Sequence, residues 1–199
     1  MEYNMPNVVL IAGPVVDLAS VASALAATTG LQVVSAGNVV REHLQQRTSL
    51  GEKANGYMQA GHVVPDELVV EAVADVLVNV HSGFVLYNFP RNVRQAELLT
   101  QSGHVPDAVI EIVLSEDQFS LAAHRRVERR IELDPQQAER RQELLFMYTH
   151  SQENHQEQSE PLRAYYRTRG LLQTVSGFGD VEAVAVRLVP LVADGGSHP

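Results

Sequence analysis

The sequence predicts an α/β fold: a five-stranded parallel sheet covered by helices on both faces. Three observations lead there. Short apolar runs, rich in β-branched residues, recur at Val8–Ala12, Gln32–Ser35, Gly83–Phe89, Ala108–Leu114 and Leu171–Val175, each too short for a helix. Between them lie stretches whose apolar residues fall at helical spacing. The connections suit right-handed crossovers, which require a parallel sheet with both faces covered.

Taken in order, Val8–Ala12 is apolar throughout, as a central strand must be. Ser20–Thr28 is an alanine-rich helix, with Gly30 as its C-cap candidate. After the strand Gln32–Ser35, Gly37 opens a helix to about Gln46 through Val39, Val40 and Leu44. Gly51–Ala60 is a further helix, stopped by Gly61. Pro65–Asp66 starts the next, with Asp66 as N-cap candidate and Leu68, Val69, Ala72, Val73, Val76 and Leu77 on its apolar face. The strand Gly83–Phe89 ends at Pro90, and Val93–Leu99 is helical. Val105–Pro106 breaks the chain before the β-forming run Ala108–Leu114.

Ser115–Arg130 is helical, and Arg125, Arg126, Arg129 and Arg130 crowd its end. Glu132–Glu160 is the least core-like segment, polar except for Leu144–Tyr148, and is expected to form a helical lid or surface arm. Pro161–Arg169 is a helix stopped by Gly170. Leu171–Val175 is the last strand, Gly177–Gly179 a turn, and Asp180 the cap of a final helix to about Val192. Ala193–Pro199 is expected to be a loose tail.

Composition bounds the function. The 199 residues suit one domain, 1–199, with 45% hydrophobic and 20% charged residues. A net charge of -9 argues against a nucleic-acid partner, which calls for a basic face. There are no cysteines, so disulfides and thiolate chemistry are excluded. No apolar run approaches a membrane span, and Met1–Asn7 lacks a signal core, so an intracellular, cytoplasmic protein is expected. His150 and His155 are not spaced to share one helix face, and no metal site is expected.

The turn after the first strand, Gly13–Ser20, lies where a phosphate-binding loop belongs. Such a loop reads G-x-x-x-x-G-K-[ST], its backbone N–H groups closing round phosphates and its lysine reaching them. Here Leu18 stands for the lysine, and Val15, Asp17 and Ala19 stand for glycines. A carboxylate ~5 Å from a phosphate repels it by about 3 kcal/mol per charge pair at an effective dielectric near 20. Left-handed backbone at the β-branched Val15 or at Ala19 costs ~1–2 kcal/mol each. The loop is therefore expected to relax into another shape.

The segment Gly51–Asp66 (GEKANGYMQAGHVVPD), Phe89-Pro90-Arg91 followed by Gln95-Ala96, Pro161–Leu172 (PLRAYYRTRGLL) and Val175–Asp180 (VSGFGD) follow one another in an order that resembles the adenylate kinase family of nucleoside monophosphate kinases. The resemblance implies a P-loop NTPase fold with a monophosphate-binding helical insert at about 36–65 and an altered lid at about 126–158. It implies a monophosphate site at Gly37, Arg41, Met58, Val63, Arg91 and Gln95. The two arginines would grip the phosphate and Gln95 the base. The Phe89–Pro90 bond is expected to be cis, as is usual in that family. Ala36 replaces a threonine that contacts the base in relatives.

On the triphosphate side the resemblance fails. Besides the loop, Tyr87 occupies the position of the aspartate that helps hold magnesium, and Asn88 that of the next glycine. Arg126, Arg129, Arg130, Arg140 and Arg141 are relics of the lid's arginines, with Arg126 and Arg129 the candidates for a catalytic role. Asp134 alone stands where paired aspartates are usual, and the lid is longer than a short one. The expectation is a protein that has lost phosphotransfer, acting as a structural or regulatory subunit that still takes AMP or another nucleoside monophosphate, with ATP-magnesium excluded. Its arm would meet other proteins of an assembly, and the family's occurrence in ciliary axonemes makes a flagellar scaffold one location. The alternative is an active kinase converting ATP and AMP to two ADP, with a lid arginine replacing the lysine.

Overall fold

The computed structural model describes residues 5–194. Five parallel strands form one sheet: β1 (Val8–Ala12), β2 (Gln32–Ser35), β3 (Phe84–Tyr87), β4 (Ala108–Val113) and β5 (Leu172–Ser176), in the order β2-β3-β1-β4-β5. β1 lies at the centre, pairing Val8 with Val85 on one side and with Ala108 on the other.

Alternation along the strands divides the core into two layers. Val9, Ile11, Phe84, Leu86 and Val109 face one layer. Val8, Leu10, Val85, Tyr87, Ile110 and Ile112 face the other. The second layer is closed by α1 (Leu18–Thr29) and α8 (Val181–Asp194). The first is closed by α2 (Ala36–Gln46), α4 (Asp66–Leu77), α5 (Val93–Gln101) and the end of α7 (Arg141–Arg167). α3 (Ser49–Gln59) packs on α2, and α6 (Glu116–Leu133) on α7. No described helix is long and apolar enough to cross a membrane.

Several boundaries follow from caps. Gly30 ends α1 in the left-handed conformation, as expected. Ser115 and Gln118 form a capping box that starts α6. α3 starts earlier than Gly51, because the Thr48 side chain accepts from the Gly51 N–H and sets the first turn. Asp66 is not an N-cap. Pro65 holds that position, and the Asp66 carboxylate instead accepts from Asn92 Nδ2 at 3.0 Å and Gln95 Nε2 at 2.6 Å. Asp180 does cap α8, accepting from the Ala183 N–H.

The arm corrects the sequence reading most. It is a helical hairpin: α6, a 3-10 segment Pro135–Arg140, then α7 running unbroken through Pro161. Packing carries α7 past the proline, since Ser159, Leu162 and Tyr166 are all buried there. Of the expected tail, 193–194 fall within α8 and the rest lies outside the described residues, as does most of Met1–Asn7.

Candidate nucleotide site

The carboxyl edge of the sheet presents the loop after β1, the start of α2, the turn Asn88–Asn92 and the start of α6. α7 crosses above them. Between the loop and α7 lies a cavity of about 480 Å³, floored by Leu10, Phe89 and Leu162 and bordered by Asp17, Arg91, Arg126 and His155.

The loop meets several of its own polar groups. Asp17 is the N-cap of α1, and its two carboxylate oxygens accept from the Ser20 N–H at 3.2 Å and the Ser20 hydroxyl at 2.9 Å. The positive end of α1, where a phosphate would sit, thus already holds an anion. The Val16 N–H donates to the Gly13 carbonyl and the Leu18 N–H to the Val16 carbonyl, so these groups turn inward on the loop. None of Val15, Asp17 or Ala19 has positive φ, so the backbone has adopted the relaxed geometry that side chains prefer.

Leu18 is buried in the same apolar layer as Tyr87, at 4% and 8% exposure. Leu18 and Tyr87 thus belong to one hydrophobic cluster, away from solvent. Asn88 keeps a left-handed backbone at φ 56°, a conformation asparagine tolerates better than most residues. The Phe89–Pro90 bond is cis.

The arm closes over the loop. Arg126 Nε donates to the Val15 carbonyl at 2.9 Å. Gln152 of α7 lies so close to Gly13 that a β-carbon there would meet its Oε1 at 2.2 Å. That oxygen is buried and has no hydrogen-bond partner among the described residues. Gln152 was not singled out from sequence, because nothing in a polar helix marks which glutamine meets a glycine far away in the chain.

The other candidates are divided. Arg91 borders the cavity, its Nε donating to the Asn88 carbonyl at 3.1 Å. Arg41 lies midway along α2, exposed, donating to Asn38 Oδ1 and standing near Gly37, where a β-carbon would sit 3.6 Å from its Nη1. Gln95 is buried with both ends of its amide engaged, donating to Asp66 and accepting from the Arg91 N–H at 2.7 Å. It is therefore set to orient Arg91, and reaches a base only by exchanging these bonds. Met58 and Val63 are exposed, at 54% and 90%. Arg129 does not join the site; it pairs with Glu132 at 3.4 Å on the outer surface. Arg140 pairs with Glu143 at 2.7 Å and Arg141 with Glu128, leaving Arg126 as the expected lid arginine that borders the cavity.

Behind α7, Arg163 pairs with Glu111 of β4 at 3.1 Å, both side chains 13% exposed, and also donates to the Ser159 hydroxyl and the Gln156 carbonyl. His155 lies beside this pair and is held below the ordinary imidazole range, first by burial and then by the Arg163 charge, with Glu111 opposing.

Comparison with known proteins accords with this geometry. The family model described as adenylate kinase matches residues 10–171. The chain is 32% identical to the adenylate kinase of Clavibacter michiganensis, over 98% of this chain and 96% of the relative. It is 33% identical to that of Thermobifida fusca, over 91% and 95%. It is 35% identical to adenylate kinase 1 of Synechocystis, over 84% and 87%. These relatives are bacterial, which lends the ciliary expectation no support. With the sheet order, the insert and the hairpin arm in the expected sequence, the chain belongs to the adenylate kinase family.

Proposed function

We propose that this protein binds a nucleoside monophosphate through Arg41 and Arg91 but does not transfer phosphate from ATP at a useful rate, and that it serves as a structural or regulatory subunit. The observation that carries the reading is the α1 N-terminus, occupied by the Asp17 carboxylate with Leu18 turned into the core. A triphosphate at that point meets a fixed negative charge and no lysine. Removing one preorganised donor typically costs ~10²–10³ in rate, and here the donor, the glycines and the metal-side carboxylate are lost together. The hairpin arm, with Phe146 and Met147 exposed at 70% and 47%, is the surface through which a protein partner would be met.

A second reading, an active kinase moving phosphate from ATP to AMP, draws on the relatives, whose names are those of adenylate kinases, and on Arg126 beside the cavity. A coupled assay with ATP, magnesium and AMP separates the two. Background turnover supports the first reading; turnover at the rate of an active family member overturns it. Calorimetry with AMP, with Arg91→Ala as control, tests the monophosphate site on its own.

A further inference from the structure

Asp66 stands in the first turn of α4, yet its side chain serves α5. One carboxylate oxygen accepts from Gln95 Nε2 at 2.6 Å and the other from Asn92 Nδ2 at 3.0 Å. Asn92 in turn caps α5, its Oδ1 accepting from the Gln95 N–H at 2.8 Å. The far end of the Gln95 amide accepts from the Arg91 N–H at 2.7 Å. Arg91 is thus held twice, by its own backbone N–H and by the bond from its Nε to the Asn88 carbonyl. Gln95 is 7% exposed, so an amide end left without a partner there finds little water to replace it. Fixing one end of that amide therefore fixes the other. With Nε2 committed to Asp66, the acceptor Oε1 faces Arg91.

We propose that Asp66 is a positioning residue for Arg91, acting through the Gln95 amide, and that Gln95 carries this setting to the arginine instead of contacting the base of a ligand. The proposal rests on the monophosphate reading only for the identity of the ligand that Arg91 meets. An ionised carboxylate suits the task because it only accepts: it takes both amide donors at once and leaves Gln95 a single orientation. A second tie joins the same two helices. Glu67 accepts from Arg94 at 2.8 Å, with both side chains exposed, and shares no hydrogen bond with Gln95 or Arg91 among the described residues.

Donors and acceptors can be exchanged along this chain of bonds. In Asp66→Asn a new amide donor faces the donor of Gln95, and turning either amide over moves the conflict to Asn92 or Arg91. In Gln95→Glu two carboxylates meet. Both substitutions together restore every bond. The new amide at position 66 accepts from Asn92 and donates to the new carboxylate at position 95, whose other oxygen accepts from the Arg91 N–H. The net charge then equals that of Gln95→Glu with one carboxylate removed, which is that of the wild type.

AMP affinity by calorimetry and hydrogen exchange at the Arg91 N–H are measured on the full chain. Asp66→Asn and Gln95→Glu are each expected to weaken AMP binding roughly tenfold, the worth of one lost hydrogen bond to a charged group, and to speed exchange at Arg91. The double variant should bind within about threefold of the wild type and regain the protection. Glu67→Gln, which cuts the other tie, should change neither. A double variant that protects Arg91 but does not regain AMP shows that Gln95 contacts the ligand, and overturns the proposal while leaving the monophosphate reading. Single variants that bind AMP as the wild type does overturn it too, as does a Glu67→Gln loss equal to that of Asp66→Asn. A wild type that binds no AMP removes the monophosphate reading; exchange at Arg91 then decides alone, and a rate unaltered by Asp66→Asn overturns the anchoring. Thermal unfolding shows that each variant remains folded.

Discussion

At the scale of the residue, the loop after β1 is decided by what Asp17 and Leu18 each do with one side chain. Asp17 supplies the negative charge that the helix end attracts, and Leu18 fills the layer beneath. Restoring the lysine alone therefore does not restore a site. Leu18→Lys is expected to lower stability by about 2–4 kcal/mol, since it forces a cation toward an apolar layer. It should leave ATP affinity unchanged; urea unfolding and calorimetry measure the two. Tight ATP binding by this variant would refute the account of the loop.

Titration gives a second residue-scale expectation. Burial lowers His104 and His155 below the ordinary value of 6.5. The unfolded chain then binds protons more readily than the folded one, so stability present above about pH 6.5 is lost as pH falls through that value. Arginine partners lower Glu67, Glu143 and Glu160 below 4.5, and these exposed groups act in the same direction at lower pH. The melting temperature should be level above neutrality and fall on acidification in two stages. A rise toward pH 5 would contradict the histidine assignments, and a rise below about pH 4.5 those of the glutamates.

At the scale of the element, close approach explains residues that the sequence shows only as part of a motif. Gly51 belongs to the segment that resembles a monophosphate-binding sequence. Its structural reason is that α3 crosses α2 there: a β-carbon would lie 2.0 Å from the His43 carbonyl oxygen. Gly51→Ala should destabilise by about 1–3 kcal/mol by driving two backbones apart, read as a lower urea midpoint. α7 is tied to the sheet by Arg163 and Glu111. Arg163→Met strands a largely covered carboxylate and should cost about 2–4 kcal/mol, while Arg163→Met with Glu111→Leu should recover much of the loss. The continuity of α7 was hidden in sequence because Pro161 reads as a helix start. Local propensity yields there to the burial of Ser159, Leu162 and Tyr166.

At the scale of the whole molecule, the arm, the loop and the sheet edge together border the cavity beside Arg91 and Arg126. A ligand that binds only the folded form stabilises it in proportion to its saturation, by about 2.7 kcal/mol at a hundred times its dissociation constant. AMP should therefore raise the melting temperature of the wild type but not of Arg91→Ala, and ATP-magnesium should add nothing beyond its effect as a general electrolyte. The sequence by itself determined the five strands, their parallel arrangement and the leucine at position 18. Apolar alternation, caps and missing chemistry are local properties, legible wherever neighbouring residues set them. Only the tertiary structure decided that Asp17 occupies the helix end, that Leu18 and Tyr87 share a layer, that Arg126 rather than Arg129 reaches the cavity, and that Gln152 rests on Gly13. Each of these depends on which distant surfaces meet when the hairpin folds back over the sheet, and no spacing along the chain records that.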